Sequence, residues 1–260
     1  MDHLLALTWS DTAEFSQHFH PPIILDENST YVLGLFSLNT YNSIPNILDE
    51  VNNAIYFVEE EEMINLNSAV ENDKNNSGLL DINSIKLKKV TIPEGAYEME
   101  ALATYIATEA EKLGVKSFTM KPNINTLKVE LFAENHHIFL PTESIAKLIG
   151  FEPNNQKCLG ANKTHFSSRP IEITTVNEIN VECNIVDGSH RNGVRCHTLY
   201  SFPPDVPPGY KISERPSPMI YLPIKAREIS NITLRLSDQR GRPIHFRGEE
   251  ISVQLNLHKF

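Results

Sequence analysis

The clearest pattern along the chain is an alternation of apolar and polar positions in its last third. In residues 179–185, 232–237 and 251–258, every second side chain is aliphatic or cysteine, and the residues between them are polar or charged. This period of two is typical of a β-strand with one face in a core and the other toward solvent. Two earlier segments, 31–38 and 54–58, are largely apolar and predict central strands that are covered on both faces.

A different period appears in the middle of the chain. Apolar residues recur at intervals of three and four over residues 98–113, which predicts an amphipathic helix that ends at Gly114. Residues 144–150 predict a short second helix that stops at its terminal glycine. Between these two segments, residues 127–133 alternate again and predict a half-buried strand.

Evenly spaced strands, long connections and few helices indicate an all-β fold. The expected architecture is an antiparallel jelly-roll sandwich into which one amphipathic helix and a short second helix are inserted. We expect one jelly-roll domain over residues 1–260, with residues 1–20 as a candidate for an extended N-terminal arm. Residues 65–84, which are rich in Asn, Asp and Ser, predict an exposed loop.

Composition and charge restrict the partners of the chain. Its 260 residues are 40% hydrophobic and 22% charged, which is ordinary globular usage. The 23 Lys and Arg residues against 33 Asp and Glu residues give a net charge of −10, so we expect no direct contact with nucleic acid. No apolar run is long enough to cross a bilayer, so no membrane partner is expected.

The cysteines and the first residues predict the compartment of synthesis. Three cysteines, an odd number without a CxxC pair, indicate reduced thiols rather than a disulfide scaffold. The first fifteen residues lack the basic region and the long apolar stretch of a signal peptide. The sequence therefore predicts synthesis inside the cell without secretion.

Two groups of residues have the ligand types of a metal site but not its spacing. His18 and His20 form an HxH pair of the kind that begins cupin sites, yet the next acidic residues lie beyond Pro21 and Pro22. The second group also matches no zinc pattern, and its first member lies on the apolar side of an alternating strand; it comprises Cys183, His190, Cys196 and His197. No nucleophile elbow, HExxH, P-loop or GxGxxG motif is present. We therefore expect no catalytic residue, no metal, no cofactor and no enzymatic activity.

The segment 238–250 carries the densest charge and predicts a structural turn. Its glycines allow a tight reversal of the chain. Arg247 stands close to Glu249 and Glu250, so we expect a hydrogen-bonded ion pair that holds the loop in shape.

The proline-rich segment 202–210 predicts a surface for self-association. Its four prolines lack backbone donors, so it belongs in a loop or at a sheet edge. Prolines keep such a segment extended at a small entropic cost, and exposed aromatic side chains are good anchors in a partner's pocket. The candidate interface residues are Phe202, Tyr210 and Tyr221. The alternative is that the segment folds back over its own sheet and shields an edge.

Several segments taken in order resemble one family. They are YNSIPNI at 41–47, IPEGAYE at 92–98, NTLKVE at 125–130, SIAKLIGF at 144–151, VECNIV at 181–186, PPGYKI at 207–212, IYLPI at 220–224, NITLRLSDQ at 231–239 and FRGEE at 246–250. Their order and spacing resemble the penton (minor capsid) proteins of Polinton/Maverick elements and the related adintoviruses, over roughly residues 20–260.

This resemblance implies a structural virion protein without catalytic residues. The implied subunit is a jelly roll that forms a homopentamer at the fivefold vertices of an icosahedral DNA-virus capsid, beside a larger major capsid protein. The net charge of −10 would keep such a subunit soluble before assembly. Three other interpretations remain open: a non-viral β-sandwich oligomer such as a TNF-like ligand, a copy retained by a host with an altered role, and a cupin-type metalloenzyme.

Overall fold

The structure is a computed structural model that describes residues 2–63 and 86–260 of the chain. The loop that the sequence predicts at residues 65–84 lies outside these ranges. The described residues are mainly β-structure, as the alternating pattern predicts.

The contacts within the chain divide it into two compact units. Unit 1 consists of Met1–Ile44 and Val176–Phe260, and unit 2 is the intervening segment Pro45–Thr175. The sequence predicted one jelly-roll domain over residues 1–260, whereas the structure has two compact units. That residues 1–260 form a single jelly-roll domain stays a prediction.

The strands and the helix follow one another along the chain in this order: β1 (Asp2–Trp9), β2 (Glu14–Ile24), β3 (Tyr31–Tyr41), β4 (Ala54–Glu59), β5 (Lys88–Thr91), α1 (Met99–Lys112), β6 (Thr119–Asn123), β7 (Lys128–Phe132), β8 (His136–Phe139), β9 (His165–Phe166), β10 (Ile179–Cys183), β11 (Ser189–Arg191), β12 (Val194–Cys196), β13 (Thr198–Phe202), β14 (Lys211–Glu214), β15 (Tyr221–Pro223), β16 (Glu228–Ser237) and β17 (Ile251–Lys259). Residues 60–63 add a helical turn.

Unit 1 has the strand pairing of a jelly roll. Its eight principal strands are, in chain order, β1, β2, β3, β10, β13, β14, β16 and β17. They pair from the outside inward along the chain: β1 with β17, β2 with β16, β3 with β14, and β10 with β13. Two antiparallel sheets result. Sheet A has the order β1-β17-β3-β14, with β15 also paired to β3, and sheet B has the order β13-β10-β16-β2. The jelly-roll prediction is confirmed by this order.

The core of unit 1 follows the alternation in the sequence. Leu234 on β16 lies opposite Phe15, Val253 on β17 lies opposite Leu38, and both aliphatic side chains are fully buried. Within residues 232–236 and 251–257, the residues between the buried positions are half-buried and polar. Burying one such aliphatic side chain contributes about 1.5–3 kcal/mol, so the two faces of each strand are not interchangeable.

The extended N-terminal arm is not found, because β1 (Asp2–Trp9) and β2 (Glu14–Ile24) are strands of the jelly roll. β1 pairs with β17 without a break, from Asp2 opposite His258 to Trp9 opposite Ile251. The buried Trp9 ring stacks on Phe15, with 5.3 Å between ring centroids. The signal was present in the sequence, since every second residue from Leu5 to Trp9 is apolar and points toward the core.

Unit 2 contains two three-stranded sheets, β5-β4-β8 and β6-β7-β9, with α1 packed on β5 and β6. Leu102 and Ile106 of the helix enter a core that also holds Phe57. The helix ends as predicted at Gly114, which has a φ of +79°. Gly114 donates to the Glu111 carbonyl and Val115 to the Ala110 carbonyl, each at 2.9 Å, which is the Schellman arrangement.

The short helix predicted at residues 144–150 is a series of turns rather than a regular helix. Its last hydrogen bonds still resemble a helix end, because Phe151 donates to the Ala146 carbonyl at 2.8 Å. Gly150 has a φ of +77°, and a Cβ atom there would stand 2.2 Å from the carbonyl oxygen of Arg169. Only glycine fits this position, so the end predicted at Gly150 is correct. The residues before it form turns instead of the predicted helix.

Candidate subunit interface

The proline-rich segment lies against its own unit instead of projecting from it. Asn42 holds it with three hydrogen bonds. The Asn42 backbone N–H donates to the Tyr210 carbonyl at 2.8 Å, its carbonyl accepts from Gly209 at 2.7 Å, and its side-chain amide donates to the Val206 carbonyl at 2.6 Å. The alternative in which the segment folds back is therefore the one that the structure has.

Phe202 is not the exposed aromatic residue that the sequence predicted. It is the last residue of β13, lies opposite Ile179 and is 4% exposed in the core of unit 1. Val206 also packs against that core. The prediction was wrong because it took 202 as a loop residue, whereas β13 continues to it with its side chain inward.

Tyr210 matches the expectation of an exposed aromatic residue. Its side chain is 65% exposed, although its backbone is bound to Asn42. Tyr41, opposite Lys211 at the end of β3, is also exposed. This end of sheet A therefore presents two tyrosine side chains on an anchored backbone, and the interface role of Tyr210 stays a prediction.

Tyr221 belongs to a small aromatic cluster on the outer face of sheet A. Its hydroxyl accepts a hydrogen bond from the Asn256 side chain at 3.0 Å, and its ring lies 5.7 Å from that of His258. The His258 ring in turn meets the edge of Phe260 at 4.7 Å, and Phe260 is 72% exposed. The sequence analysis missed Asn256, His258 and Phe260, although the polar positions of β17 indicated which residues face outward.

The turn around Arg247 has the tight geometry that its glycine predicts. Arg247 and Gly248 have φ values of +52° and +81°, and Glu249 donates its backbone N–H to the Phe246 carbonyl at 3.0 Å. The ion pair of Arg247 with Glu249 and Glu250 stays a prediction.

Asp238 and Arg242 form another charged contact within the same segment. Asp238 is 2% exposed, and its Oδ1 accepts the backbone N–H groups of Arg240 and Arg242 at 2.8 and 2.9 Å. The guanidinium of Arg242 binds Oδ2 of Asp238 at 2.7 Å. Burial by itself would raise the pKa of Asp238, but these donors outweigh it and the pKa lies below its ordinary value.

A second buried aspartate anchors the hairpin of β11 and β12. Asp187 is nearly buried and forms ion pairs with Arg195 and Lys225. Gly188 donates its backbone N–H to Asp187 Oδ1 at 2.8 Å. Hydrogen bonds from Arg195 and Lys225 hold the pKa of the Asp187 carboxyl well below its usual range.

The histidines and cysteines that the sequence offered as metal ligands do not form a metal site in the described part of the chain. No group of three or more His, Cys, Asp or Glu residues there could hold an ion. Burial raises the pKa of the Cys183 thiol to about 11, so this cysteine is a buried neutral side chain. His197 is bound through Nδ1 to the Val186 carbonyl at 2.7 Å, and His18 lies on the edge strand β2 opposite Asn231.

The chain was compared with protein families, curated proteins and solved structures. No protein-family model matches the sequence, and no curated protein matches it. Among solved structures, the crystal structure of the selenomethionine-labelled mavirus penton protein aligns over 100% of both chains, at 11% identity and a TM-score of 0.48. This weak similarity does not assign a family. None of the described helices is long and apolar enough to cross a membrane.

Proposed function

We propose that the chain is a structural capsid subunit of the penton type. In this proposal it forms homopentamers at the icosahedral vertices of a Polinton-like DNA virus or element, beside a major capsid protein. The observation that carries the proposal is the complete jelly-roll pairing of unit 1, from β1 with β17 to β10 with β13. The ordered sequence motifs that resemble Polinton and adintovirus penton proteins support it.

The surface of the chain supports a role in protein contacts. Unit 1 exposes the tyrosines 41 and 210 and the ring of Phe260. Unit 2 exposes Ile124, which is 86% accessible, and Phe166. Aromatic side chains can anchor a protein interface when a partner's pocket covers them, so Tyr41, Tyr210, Phe260 and Phe166 are candidates for such contacts.

The proposal assigns the chain no reaction, cofactor or metal. The described polar clusters around Asp187 and Asp238 are paired ion contacts that stabilise turns, which is a structural use of charge. One equivalent of a transition metal retained through purification would contradict this part of the proposal and favour a cupin-type metalloprotein.

Electron microscopy of the purified chain tests the proposed function. Class averages with fivefold rotational symmetry would support a vertex subunit. Threefold averages would favour a TNF-like ligand, and particles of single chains at micromolar concentration would contradict the proposal.

A further inference from the structure

The outer strands of sheet A are β1 on one side and β14 with β15 on the other. Those of sheet B are β2 and β13, and prolines interrupt or follow both. β2 contains Pro21 and Pro22, and β13 runs directly into Pro203 and Pro204. Proline supplies no backbone donor, so these two edges cannot extend a sheet regularly. Of the remaining outer strands of sheet A, β1 and β14 contain no proline, whereas β15 ends in Pro223. In the described part of the chain neither β1 nor β14 has a backbone partner on its outer side.

β1 has none of the features that protect an edge strand. It pairs with β17 over its full length without a bulge, and residues 4–9 carry no charge. The exposed side chains of Leu4, Ala6 and Thr8 are small or apolar. A regular eight-residue edge strand whose residues 4–9 carry no charge is a template for another strand.

The two open edges are the opposite edges of the same sheet. Sheet A has the order β1-β17-β3-β14, and each of these neighbours is antiparallel. β1 and β14 therefore run in opposite directions. A second copy placed head to tail beside the first brings its β1 antiparallel to β14, and the alternation of the sheet continues across the junction.

We propose that β14 of one copy of this chain pairs with β1 of the next copy, so that sheet A continues from subunit to subunit. The contact joins two different surfaces, which is the type that closes a ring. This inference rests on the proposed function, because it names the junction that would build the pentamer.

The alternation of side chains restricts the register of this junction. On β14, Ile212 points into the core, whereas Lys211 and Ser213 are exposed. On β1, the side chains of Leu5 and Leu7 lie on the core-facing side of sheet A. The faces match when Ile212 lies opposite Leu5 or Leu7, and Lys211 then lies opposite Ala6 or Thr8.

Paired substitutions test the junction on the full-length chain. The variant Ala6→Lys/Thr8→Lys places lysine opposite Lys211 in either register, and like charges at a contact weaken association by at least about tenfold. Adding Lys211→Glu to this variant restores opposite charges at every junction and should restore assembly. The matched control is Ser252→Lys/Gln254→Lys, which adds the same charges to the neighbouring positions of β17 on the same face.

The assembled mass and the circular dichroism spectrum of each variant are measured over a dilution series. We expect the β1 variant to dissociate, the Lys211→Glu combination to reassemble and the β17 control to stay assembled. If the double variant does not fold, Ala6→Lys and Thr8→Lys are measured separately, because each places a lysine opposite Lys211 in one of the two registers. The inference is overturned if the β1 variant keeps the wild-type mass, if Lys211→Glu does not rescue it, or if the β17 control dissociates equally.

The wild-type chain separates this inference from the proposed function. A pentamer that is insensitive to the edge substitutions overturns the junction alone. An open or larger assembly that responds as described supports the junction and contradicts the pentamer. A wild-type monomer overturns both.

Discussion

Arg242 binds Asp238 with its guanidinium at 2.7 Å, and the backbone N–H of the same arginine donates to the other carboxylate oxygen at 2.9 Å. The carbonyl of Arg242 in turn accepts the backbone N–H of Asp238 at 2.8 Å. The turn between β16 and the segment leading to β17 is therefore closed by one buried and fully bonded carboxylate.

This contact predicts a loss of stability in acid. Because the pKa of Asp238 is lowered on folding, its contribution is complete above the unfolded value of about 3.9 and is lost as the pH falls through the lower folded-state value. Asp238→Asn should lower the melting temperature at neutral pH and flatten its fall below about pH 4. Asp205→Asn, in the exposed proline-rich segment, is the control. Equal acid profiles for wild type and Asp238→Asn would show that this carboxylate does not stabilise the fold.

Gly150 should tolerate no side chain. Gly150→Ala combines a positive φ with a clash against the Arg169 carbonyl, and we expect a loss of at least about 2 kcal/mol in the free energy of unfolding. Gly193 has a φ of +80° with no atom within 4 Å of an added Cβ. Gly193→Ala therefore measures the backbone strain without a clash, and we expect it to lower the free energy of unfolding by about 1 kcal/mol. Urea denaturation measures both, and equal losses would mean that the clash is relieved by movement.

The two faces of β16 should respond differently to charge. Leu234→Asp places an unpaired carboxylate in the core of unit 1 and should cost roughly 5 kcal/mol, comparable to the whole stability of a domain. Thr233→Asp, on the outer face beside Ser16, should cost less than about 1 kcal/mol. The yield of folded soluble protein checks the pair, and similar yields would refute the strand register.

The aromatic residues of the proline-rich segment should separate folding from assembly. Phe202→Ser empties a core position and should destabilise the single subunit by about 3–5 kcal/mol. Tyr210→Ser changes an exposed side chain and should leave the subunit within about 0.5 kcal/mol of wild type. A weaker oligomer for Tyr210→Ser at unchanged subunit stability would support its interface role, whereas an unchanged oligomer would count against it.

Local patterns predicted the elements of this fold well where burial controls them. The alternation in 232–237 and 251–258 places Leu234 and Val253 in the core, because a strand at the surface of a sandwich has one apolar face. The helix predicted over residues 98–113 is confirmed as α1, because its apolar residues recur with the helical period of 3.6 and form one buried face.

Features that depend on distant partners were predicted less well. Phe202 is buried because β13 pairs with β10 up to that residue, and its neighbouring prolines suggested a loop instead. Residues 2–9 form a strand because β17, almost the whole chain length away, supplies its partner. The anchor at Asn42 depends on its contact with Val206, and no local pattern marks such a long-range hydrogen bond.

Native mass spectrometry of the purified chain tests the central claim most directly. A vertex subunit predicts a dominant species of five times the 29.4 kDa of one chain, stable on dilution to about micromolar concentration and without bound metal. A dominant species of three chains, or a monomer that does not associate on concentration, would contradict the assignment as a penton-type capsid subunit.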